Sequence, residues 1–270
     1  MIGILRTRLR LGRQTIPYPD GPVRLPERFR GRPALDPARC PPACTACAAA
    51  CPTGAVQTAS LRLDTGACLF CGSCEEACPA GAIRFTRDYR LAMRTRGELV
   101  ASGDAPLLAR ALEERSRRLF GRSLRLRQVS AGGCNGCEAE LNASSNIQFD
   151  LGRFGIQFVA SPRHADGVVV TGPVSENMRV ALEKTWEATP APRLLVAVGA
   201  CAISGGAFAS SPACHGGVDG LLPGVAADLY VPGCPPHPVT VLDGLLRLLG
   251  RLDGDHLDLA DTGVLRPQGR

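Results

Sequence analysis

The stretch Cys68-Leu69-Phe70-Cys71-Gly72-Ser73-Cys74-Glu75-Glu76-Ala77-Cys78-Pro79 decides how the first part of this chain folds. Its C-x2-C-x2-C-x3-C-P spacing is typical of chains that hold [4Fe-4S] clusters. Three thiolates on two-residue gaps converge on one cube, and the fourth, followed by proline, points toward a second cube. The run therefore predicts a partner run. One lies just upstream and consists of Cys40, Cys44, Cys47 and Cys51, with Pro52 after it.

The spacing predicts that the fourth cysteines are exchanged between the two runs. We assign one [4Fe-4S] cluster to Cys40, Cys44, Cys47 and Cys78. We assign the other to Cys68, Cys71, Cys74 and Cys51. The upstream run departs from the pattern at Cys40, because three residues, Pro41-Pro42-Ala43, fill a gap that usually holds two.

Two other uses of cysteine compete with this interpretation. Paired C-x2-C motifs also hold zinc, so a zinc-bound structural or regulatory module is an alternative. Zinc does not require a close fourth cysteine followed by proline, which favours iron–sulfur. Disulfides belong to oxidising compartments, and residues 1–10 contain no long apolar segment with a cleavage site. We therefore expect reduced cysteines and a cytoplasmic location.

The net charge of +6 is unevenly distributed. Residues 1–122 hold 20 Arg and Lys against 11 Asp and Glu, whereas residues 123–270 hold 11 against 14. Aromatic residues make up only 4% of the chain, and no nucleic-acid-binding module is recognisable. We expect the arginines to offset negatively charged clusters and to dock acidic partner subunits, not nucleic acid. The longest apolar runs are too short for a membrane helix.

The chain divides into four predicted segments. They are a basic, Pro-rich, extended arm (1–36), a domain with two clusters (37–90), a helical linker (91–121) and a final domain (122–270). Within the second segment, Gly54-Ala55-Val56 and Gly81-Ala82-Ile83 mark an internal repeat, with strand candidates at 61–63 and 83–85. In the linker, apolar spacing predicts a helix over 105–120.

From residue 122 onward the pattern alternates between strand and helix. Strands are predicted at 124–129, 156–160, 167–171, 194–199 and 227–232, and helices at 138–147, 175–189 and 238–251. This alternation indicates βαβ units. We therefore expect an α/β domain with a parallel sheet after an α+β domain with two clusters.

Four further cysteines follow predicted strands of this sheet. Cys134 and Cys137 follow the first strand, Cys201 the fourth and Cys234 the fifth. Ligands of open α/β sheets gather at the carboxyl ends of strands, so these thiols suit a third [4Fe-4S] cluster. The alternative is that Cys201 and Cys234 are small buried hydrophobic residues. Cys214 has no partner motif, and we expect no ligand role for it.

The final domain closely resembles the small electron-transfer subunit of energy-converting [NiFe] hydrogenases and respiratory complex I. The matching stretches are Gly133-Cys-Asn-Gly-Cys-Glu-Ala-Glu140, Ser161-Pro-Arg-His-Ala-Asp-Gly-Val-Val-Val-Thr-Gly-Pro-Val174, Ala197-Val-Gly-Ala-Cys-Ala202, Gly205-Gly-Ala-Phe208 and Val231-Pro-Gly-Cys-Pro-Pro236. Cys134 and Cys137 show the C-x2-C spacing of the hydrogenase type. The complex I type has two adjacent cysteines there. The resemblance implies a flavodoxin-like fold whose cluster is proximal to a large subunit.

The first half looks like the dicluster ferredoxin subunit of the same complexes, including the lead-in Phe29-Arg-Gly-Arg-Pro33. The chain thus resembles a fusion of two subunits. By resemblance, Glu140 lies near the third cluster and the partner, and Arg163 and His164 match a segment close to that cluster. A solvated or capping role for Glu140 and a surface role for His164 remain open.

The resemblance implies an iron–sulfur electron-relay subunit without catalytic residues of its own. We expect a [NiFe]-hydrogenase-like large subunit, an electron donor (a formate or CO dehydrogenase subunit or a ferredoxin) and, indirectly, membrane subunits as partners. The favoured assembly is a membrane-bound group 4 hydrogenase of the formate hydrogenlyase type, with the chain peripheral on the cytoplasmic face. The alternative is a related, complex I-like quinone reductase.

Overall fold

A computed structural model describes residues 2–103, 108–219, 221–222 and 224–252. The helices are α1 (Ile2–Leu11), α2 (Ala46–Ala49), α3 (Ser73–Glu76), α4 (Glu114–Phe120), α5 (Gly136–Ser144), α6 (Glu176–Ala188), α7 (Ala200–Ser204) and α8 (Pro238–Leu248). The strands are β1 (Pro33–Leu35), β2 (Val56–Gln57), β3 (Arg62–Asp64), β4 (Ile83–Phe85), β5 (Val100–Ala101), β6 (Leu124–Ser130), β7 (Ile156–Phe158), β8 (Gly167–Thr171), β9 (Leu194–Val198) and β10 (Leu229–Val231).

A five-stranded sheet forms the centre of the second half. Its strand order is β10-β9-β8-β6-β7, and all neighbours are parallel. This is the flavodoxin-like order, in which the chain direction across the sheet reverses between β6 and β8. Every residue of β8 and β9 is buried, as expected for strands covered on both faces. The predicted α/β class and all five predicted strands are confirmed.

Alternate residues of the strands face two separate cores. On β9, Val196 and Val198 pack with α5 and α8, whereas Leu195 and Ala197 pack with α6 and α7. This alternation follows from the two-residue side-chain period of a strand. All eleven residues of α8 are buried, because residues of the arm and the linker cover the helix surface that faces away from the sheet.

The first half contains two small antiparallel sheets around the cysteine runs. β1 pairs with β4, and β2, β3 and β5 form the other sheet. Strands β3 and β4 confirm the two strand candidates of the repeat. The core between these sheets includes the buried residues Cys47, Cys68 and Cys74. The first half is therefore an α+β unit whose interior is partly made of thiols.

Two sequence predictions need correction. The composition of the arm predicts an extended segment, but residues 2–11 form α1, because the prolines that interrupt a helix begin only at residue 17. In the linker, the apolar spacing predicts a helix over 105–120. Residues 105–107 lie outside the described residues, 108–113 are not helical, and α4 begins at Glu114. The backbone N–H of Leu112 instead donates to the Leu248 carbonyl at 2.9 Å.

Several contacts join the arm and linker to the second half. Met93 and Tyr230 exchange two backbone hydrogen bonds of 3.0 and 2.9 Å, so the linker extends the sheet edge at β10. The Tyr18 hydroxyl donates to buried Asp243 at 2.8 Å, and Arg247 pairs with the same carboxylate at 3.0 Å. Because a buried charge without a partner is costly, these contacts fix the arm on α8.

Within the described ranges, no helix combines the length and the apolar character that crossing a bilayer requires.

Candidate metal centres

The internal repeat places the fourth cysteine of each run in the same local structure. The N–H of Ala55 donates to Cys51 Sγ at 3.2 Å, and the N–H of Ala82 donates to Cys78 Sγ at 3.2 Å. In both copies a glycine with positive φ, Gly54 or Gly81, turns the chain between cysteine and alanine. The Gly-Ala pairs of the sequence therefore supply a hydrogen bond to a cysteine sulfur.

One set of thiols consists of Cys51, Cys68, Cys71 and Cys74. Burial, with the charges of Cys74, Cys51 and Cys71, raises the pKa of Cys68 to about 12, although the hydrogen bond from the N–H of Phe70 acts to lower it. Burial likewise raises the pKa of Cys74 to about 11, together with the charges of Cys51 and Cys71. Charges act on each other this way only at short range. Cys51 therefore lies with the cysteines of the other run.

Cys71 differs from its neighbours in this set. Burial acts to raise the pKa of its thiol, but the hydroxyl and N–H of Ser73 and the positive charge of Arg30 outweigh it, so the pKa is lowered. The Cys71 residue is exposed. The set thus presents one thiol with a lowered pKa at the surface, close to an arginine.

A second set contains Cys40, Cys47 and Cys78. Burial raises the pKa of Cys47, and the charges of Cys78 and Cys40 contribute to the shift. Cys40 and Cys44 line one cavity of about 340 Å³. Ala43 takes a left-handed backbone with φ of 60°, and Cys44 N–H closes a turn onto the Pro41 carbonyl at 3.2 Å. The extra residue of the first gap is thus absorbed in a turn between Cys40 and Cys44.

The third set lies at the carboxyl edge of the parallel sheet. Cys137 lies in α5 after β6, Cys201 in α7 after β9, and Cys234 after β10. Burial raises the pKa of Cys137 to about 12, with further contributions from Glu138, Cys201, Cys234 and Cys134. Burial, together with the charges of Cys234 and Cys134, raises the pKa of Cys201 to about 11. The structure therefore brings the four sequence-predicted cysteines together.

Backbone contacts hold the three loops of this third set in place. Gly199 N–H donates to the Val231 carbonyl at 2.8 Å, and Ala200 N–H donates to the Gly233 carbonyl at 2.9 Å. A Cβ on Gly199, whose φ is +90°, would lie 2.5 Å from Cys137 Sγ. Only glycine allows this approach, so Gly199 fixes the distance between the β9 loop and α5.

Glu138 is a residue of this site that the sequence interpretation missed. Its side chain is buried, and Oε1 accepts hydrogen bonds from Ser130 Oγ and Thr171 Oγ1, both at 2.6 Å. Burial acts to raise the pKa of this carboxyl, but the two hydroxyl donors outweigh it, and the pKa is lowered. The two hydroxyl residues meet only through the register of β6 and β8, which the sequence does not show.

The other predicted polar residues lie in different surroundings. Glu140 is half-buried, and burial raises its pKa; it lines a cavity together with Cys234. Arg163 and His164 lie in a short 3-10 helix after β7 that contains no buried residue. The charge of Cys214 acts on Cys201, so this thirteenth cysteine lies near the third set. The roles of Glu140 and Arg163 stay predictions.

A cavity of about 230 Å³ separates the second-run loop from the third set. Leu69 and Phe70, which lie between Cys68 and Cys71, line one side, and Cys234 and Glu140 line the other. His237 and Phe29 also line it, and their rings pack edge to face at 5.8 Å. The arm thus contributes Phe29 to the lining of the cavity between the two thiol sets.

The donor set suits iron–sulfur clusters. Cysteine thiolates are the ligands of such clusters, and N–H groups directed at Cys51, Cys68 and Cys78 stabilise sulfur that carries negative charge. In the part of the chain that is described, no three His, Cys, Asp or Glu side chains form a group that could hold a single metal ion. Eleven of the twelve cysteines that the sequence predicts as ligands nevertheless fall into three neighbourhoods. Cys44 is linked to its set only through the cavity that it shares with Cys40.

The fold and the thiol sets define an iron–sulfur protein with a parallel α/β domain, and comparison with known proteins gives its family. A family model described as "NADH ubiquinone oxidoreductase, 20 Kd subunit" matches residues 134–248, and one described as "4Fe-4S binding domain" matches residues 61–84. A probable membrane-bound hydrogenase subunit of Pyrococcus furiosus is 40% identical over 144 residues, which cover 52% of this chain and 84% of that protein. The chain belongs to the family of the 20 kDa subunit.

Two further relatives show the breadth of the family. Formate hydrogenlyase subunit 7 of Escherichia coli is 43% identical over 132 residues, covering 49% of this chain and 51% of that protein. An NADH-quinone oxidoreductase subunit of Heliobacterium modesticaldum is 41% identical over 117 residues, covering 43% of this chain and 65% of that protein. The predicted resemblance to hydrogenase and complex I subunits is confirmed. Each of these matches covers about half of the present chain.

Proposed function

We propose that the chain is an electron-relay subunit. Electrons from a donor protein enter through two clusters in residues 37–90 and leave through a third for the catalytic large subunit of a membrane-bound group 4 [NiFe] hydrogenase of the formate hydrogenlyase type. When bound, each [4Fe-4S] cluster supplies a one-electron acceptor and donor. The chain's own residues hold these groups in sequence.

The observation that carries the proposal is a cavity lined both by the loop between Cys68 and Cys71 and by Cys234 of the third set. Phe70, in the loop of Cys68 and Cys71, and Cys234, in the third set, line the same cavity. The set of Cys51, Cys68, Cys71 and Cys74 therefore lies next to the third set. Cys40 and Cys44 line a different surface cavity with residues 58–61. This arrangement supports entry near Cys40 and exit at the sheet edge.

Fusion of the two halves supports the same role. Covalent linkage keeps the ligand sets at high effective concentration, and the Met93–Tyr230 backbone pair fixes the linker on the sheet edge. We propose that the large subunit docks on the carboxyl edge of the sheet, where Cys134 and Cys234 are exposed. The chain would then be peripheral on the cytoplasmic face, attached through its partner subunits.

Replacing one ligand of the third set tests the relay. Cys137→Ala removes a thiolate from that set only, so both clusters of residues 37–90 stay reducible by the physiological donor. Electron delivery to the large subunit should fall to background, measured as hydrogen evolution or quinone reduction by the whole complex. Cys214→Ala is the matched control and should keep full turnover. An artificial dye donor tests the large subunit separately.

Normal turnover with the physiological donor, in a Cys137→Ala complex shown to lack the third cluster, would refute the relay. The absorption spectrum of the isolated chain tests the zinc alternative. Thiolate-to-iron charge transfer gives a broad brown absorbance at about 400 nm, whereas a zinc protein is colourless.

One motif of the chain is of the hydrogenase type, but the residues that separate a hydrogenase from a hydrogenase-related quinone reductase lie on the large subunit. Cys134 and Cys137 are separated by two residues, which resembles the hydrogenase subunits, whereas complex I subunits have adjacent cysteines. A large subunit purified with the chain decides between them. Nickel at about one atom per complex supports the hydrogenase, and quinone reduction without nickel supports the alternative.

A further inference from the structure

The carboxylate of Glu138 occupies the crevice where the sheet order reverses. Glu138 is the third residue of α5 and follows Cys137 directly. It is only 6% exposed. Its Oε1 accepts two hydrogen bonds, one from Ser130 Oγ and one from Thr171 Oγ1, each at 2.6 Å. Short hydrogen bonds to a charged acceptor are stronger than neutral ones. One oxygen atom thus links three secondary-structure elements.

The two donors are neighbours across the switch point of the sheet. Ser130 is the last residue of β6, Thr171 is the last residue of β8, and the two are register partners. In flavodoxin-like sheets this crevice usually receives a ligand. Here a side chain of the chain itself fills it. The strand ends are thereby tied to the helix that carries Cys137.

The loop that carries Cys134 lies between two fixed points. At its start, Ala131 N–H donates to the Thr171 carbonyl at 2.7 Å. At its end, Asn135 stands at the N-cap of α5 with φ of 69° but gives no side-chain cap hydrogen bond. The hydrogen bonds from Ser130 and Thr171 to Glu138 therefore attach the N-terminus of α5 to the sheet.

The middle of this loop is also closely packed. A Cβ on Gly172 would lie 2.5 Å from the backbone N of Gly133, so the loops after β6 and β8 cross without room for side chains. A small shift of α5 would therefore move this crossing and the two thiols that follow it, those of Cys134 and Cys137. The geometry of Cys134 and Cys137 depends on where Glu138 holds the helix.

We propose that Glu138 is a positioning residue for the third thiol set. By accepting hydrogen bonds from both hydroxyls, it holds Cys134 and Cys137 at the distance from Cys201 and Cys234 that one cluster requires. The role requires the acceptor oxygen, which glutamine also possesses, and a leucine of similar size lacks it. The inference rests on the proposed third cluster, and it adds a residue outside the cysteine ligands.

The test uses the full-length chain purified anaerobically with its clusters. Wild type should contain about 12 iron atoms, and Glu138→Leu about 8, with the third-cluster EPR signal lost and both signals from residues 37–90 retained. Glu138→Gln should restore about 12 iron atoms and the wild-type g values. Glu187→Leu, at a site on α6 whose side chain is 63% exposed, is the matched control and should change nothing.

A milder pair of variants removes the donors while the carboxylate remains. Ser130→Ala and Thr171→Val should each shift the midpoint potential and g values of the third cluster, and leave those of the other two unchanged. This pair decides the question if Glu138→Leu fails to fold. Wild-type potentials and g values in the pair, or about 12 iron atoms with an unchanged third signal in Glu138→Leu, would overturn the inference. Wild type with about 8 iron atoms would instead refute the third cluster itself.

Discussion

At the residue scale, Cys78 and Cys51 test the exchange of ligands between the two runs. The charge of Cys78 acts on Cys47, and the charge of Cys51 acts on Cys68 and Cys74. Cys78→Ala should therefore perturb the cluster of Cys40, Cys44 and Cys47 and leave the other intact in Mössbauer and EPR spectra.

Cys51→Ala is the matched variant, since Cys51 occupies the equivalent place in the repeat and receives the equivalent N–H hydrogen bond. It should perturb the cluster of Cys68, Cys71 and Cys74. If each variant damages the cluster of its own run, the ligands are not exchanged.

The sequence predicts which cysteines lie close together, but it does not predict the role of Glu138. Short gaps between cysteines restrict which sulfurs can converge, and loops after parallel strands meet at one edge. The choice between Glu138 and Glu140 depends on which side of α5 faces the strand ends. The donors Ser130 and Thr171 come from strands whose register only the structure gives. Sequence spacing contains no information about that register.

At the element scale, the N-terminus of α8 should respond to pH. His237 is the N-cap, and its Nδ1 accepts from the Val239 N–H at 3.2 Å. Its ring packs against the edges of Phe29 and Phe149 at 5.8 and 5.6 Å. Burial lowers the pKa of this histidine, because the neutral ring tolerates burial better than the charged ring. The charged or titratable groups around the same cavity are Arg28, Arg30, Glu140 and Cys234.

Because the folded state binds the proton less readily than the unfolded state, stability from this histidine is complete above a pH of about 6.5 and is lost as pH falls below it. Asparagine keeps the cap but does not titrate. Between about pH 7.5 and pH 6, the melting temperature of wild type should fall relative to that of His237→Asn by about 2–4 °C at most. Parallel melting curves for the two proteins across this interval would contradict the prediction.

Elements were predictable where the local pattern and the tertiary contacts agree. The continuous apolar runs of β8 and β9 are buried on both faces, so composition alone indicates strands. In the linker, Leu108 and Leu112 follow a helical period and are buried, yet they precede α4. Leu112 is buried by its packing with α8, which the local pattern cannot show. Tertiary contacts override propensity at this point.

At the scale of the whole molecule, the two halves contact each other away from the cysteines as well. Ala92 of the linker packs on Gly244 of α8, where a Cβ on Gly244 would lie 2.6 Å from Ala92 Cβ and 3.4 Å from Leu229 Cδ2. Both Ala92 and Gly244 are buried. The next linker residue, Met93, makes the backbone pair with Tyr230. The absence of a side chain at Gly244 thus allows the linker to reach the sheet edge.

Gly244→Val should force the linker away from α8, because an added side chain in a packed core costs about 1–3 kcal/mol when backbone must move. None of the twelve predicted cysteine ligands lies on the linker or on α8, so all three clusters should remain, with about 12 iron atoms per chain. The separation between the third set and the set of Cys51, Cys68, Cys71 and Cys74 should change, and reduction of the third cluster by the other two should slow on the order of tenfold or more. Rapid-mixing kinetics with EPR detection measures this rate.

Gly97→Val is the matched control, since nothing lies within 4 Å of a Cβ there. An unchanged rate in Gly244→Val, together with a lowered melting temperature, would show that the linker contact stabilises the chain without setting the distance between its redox sites.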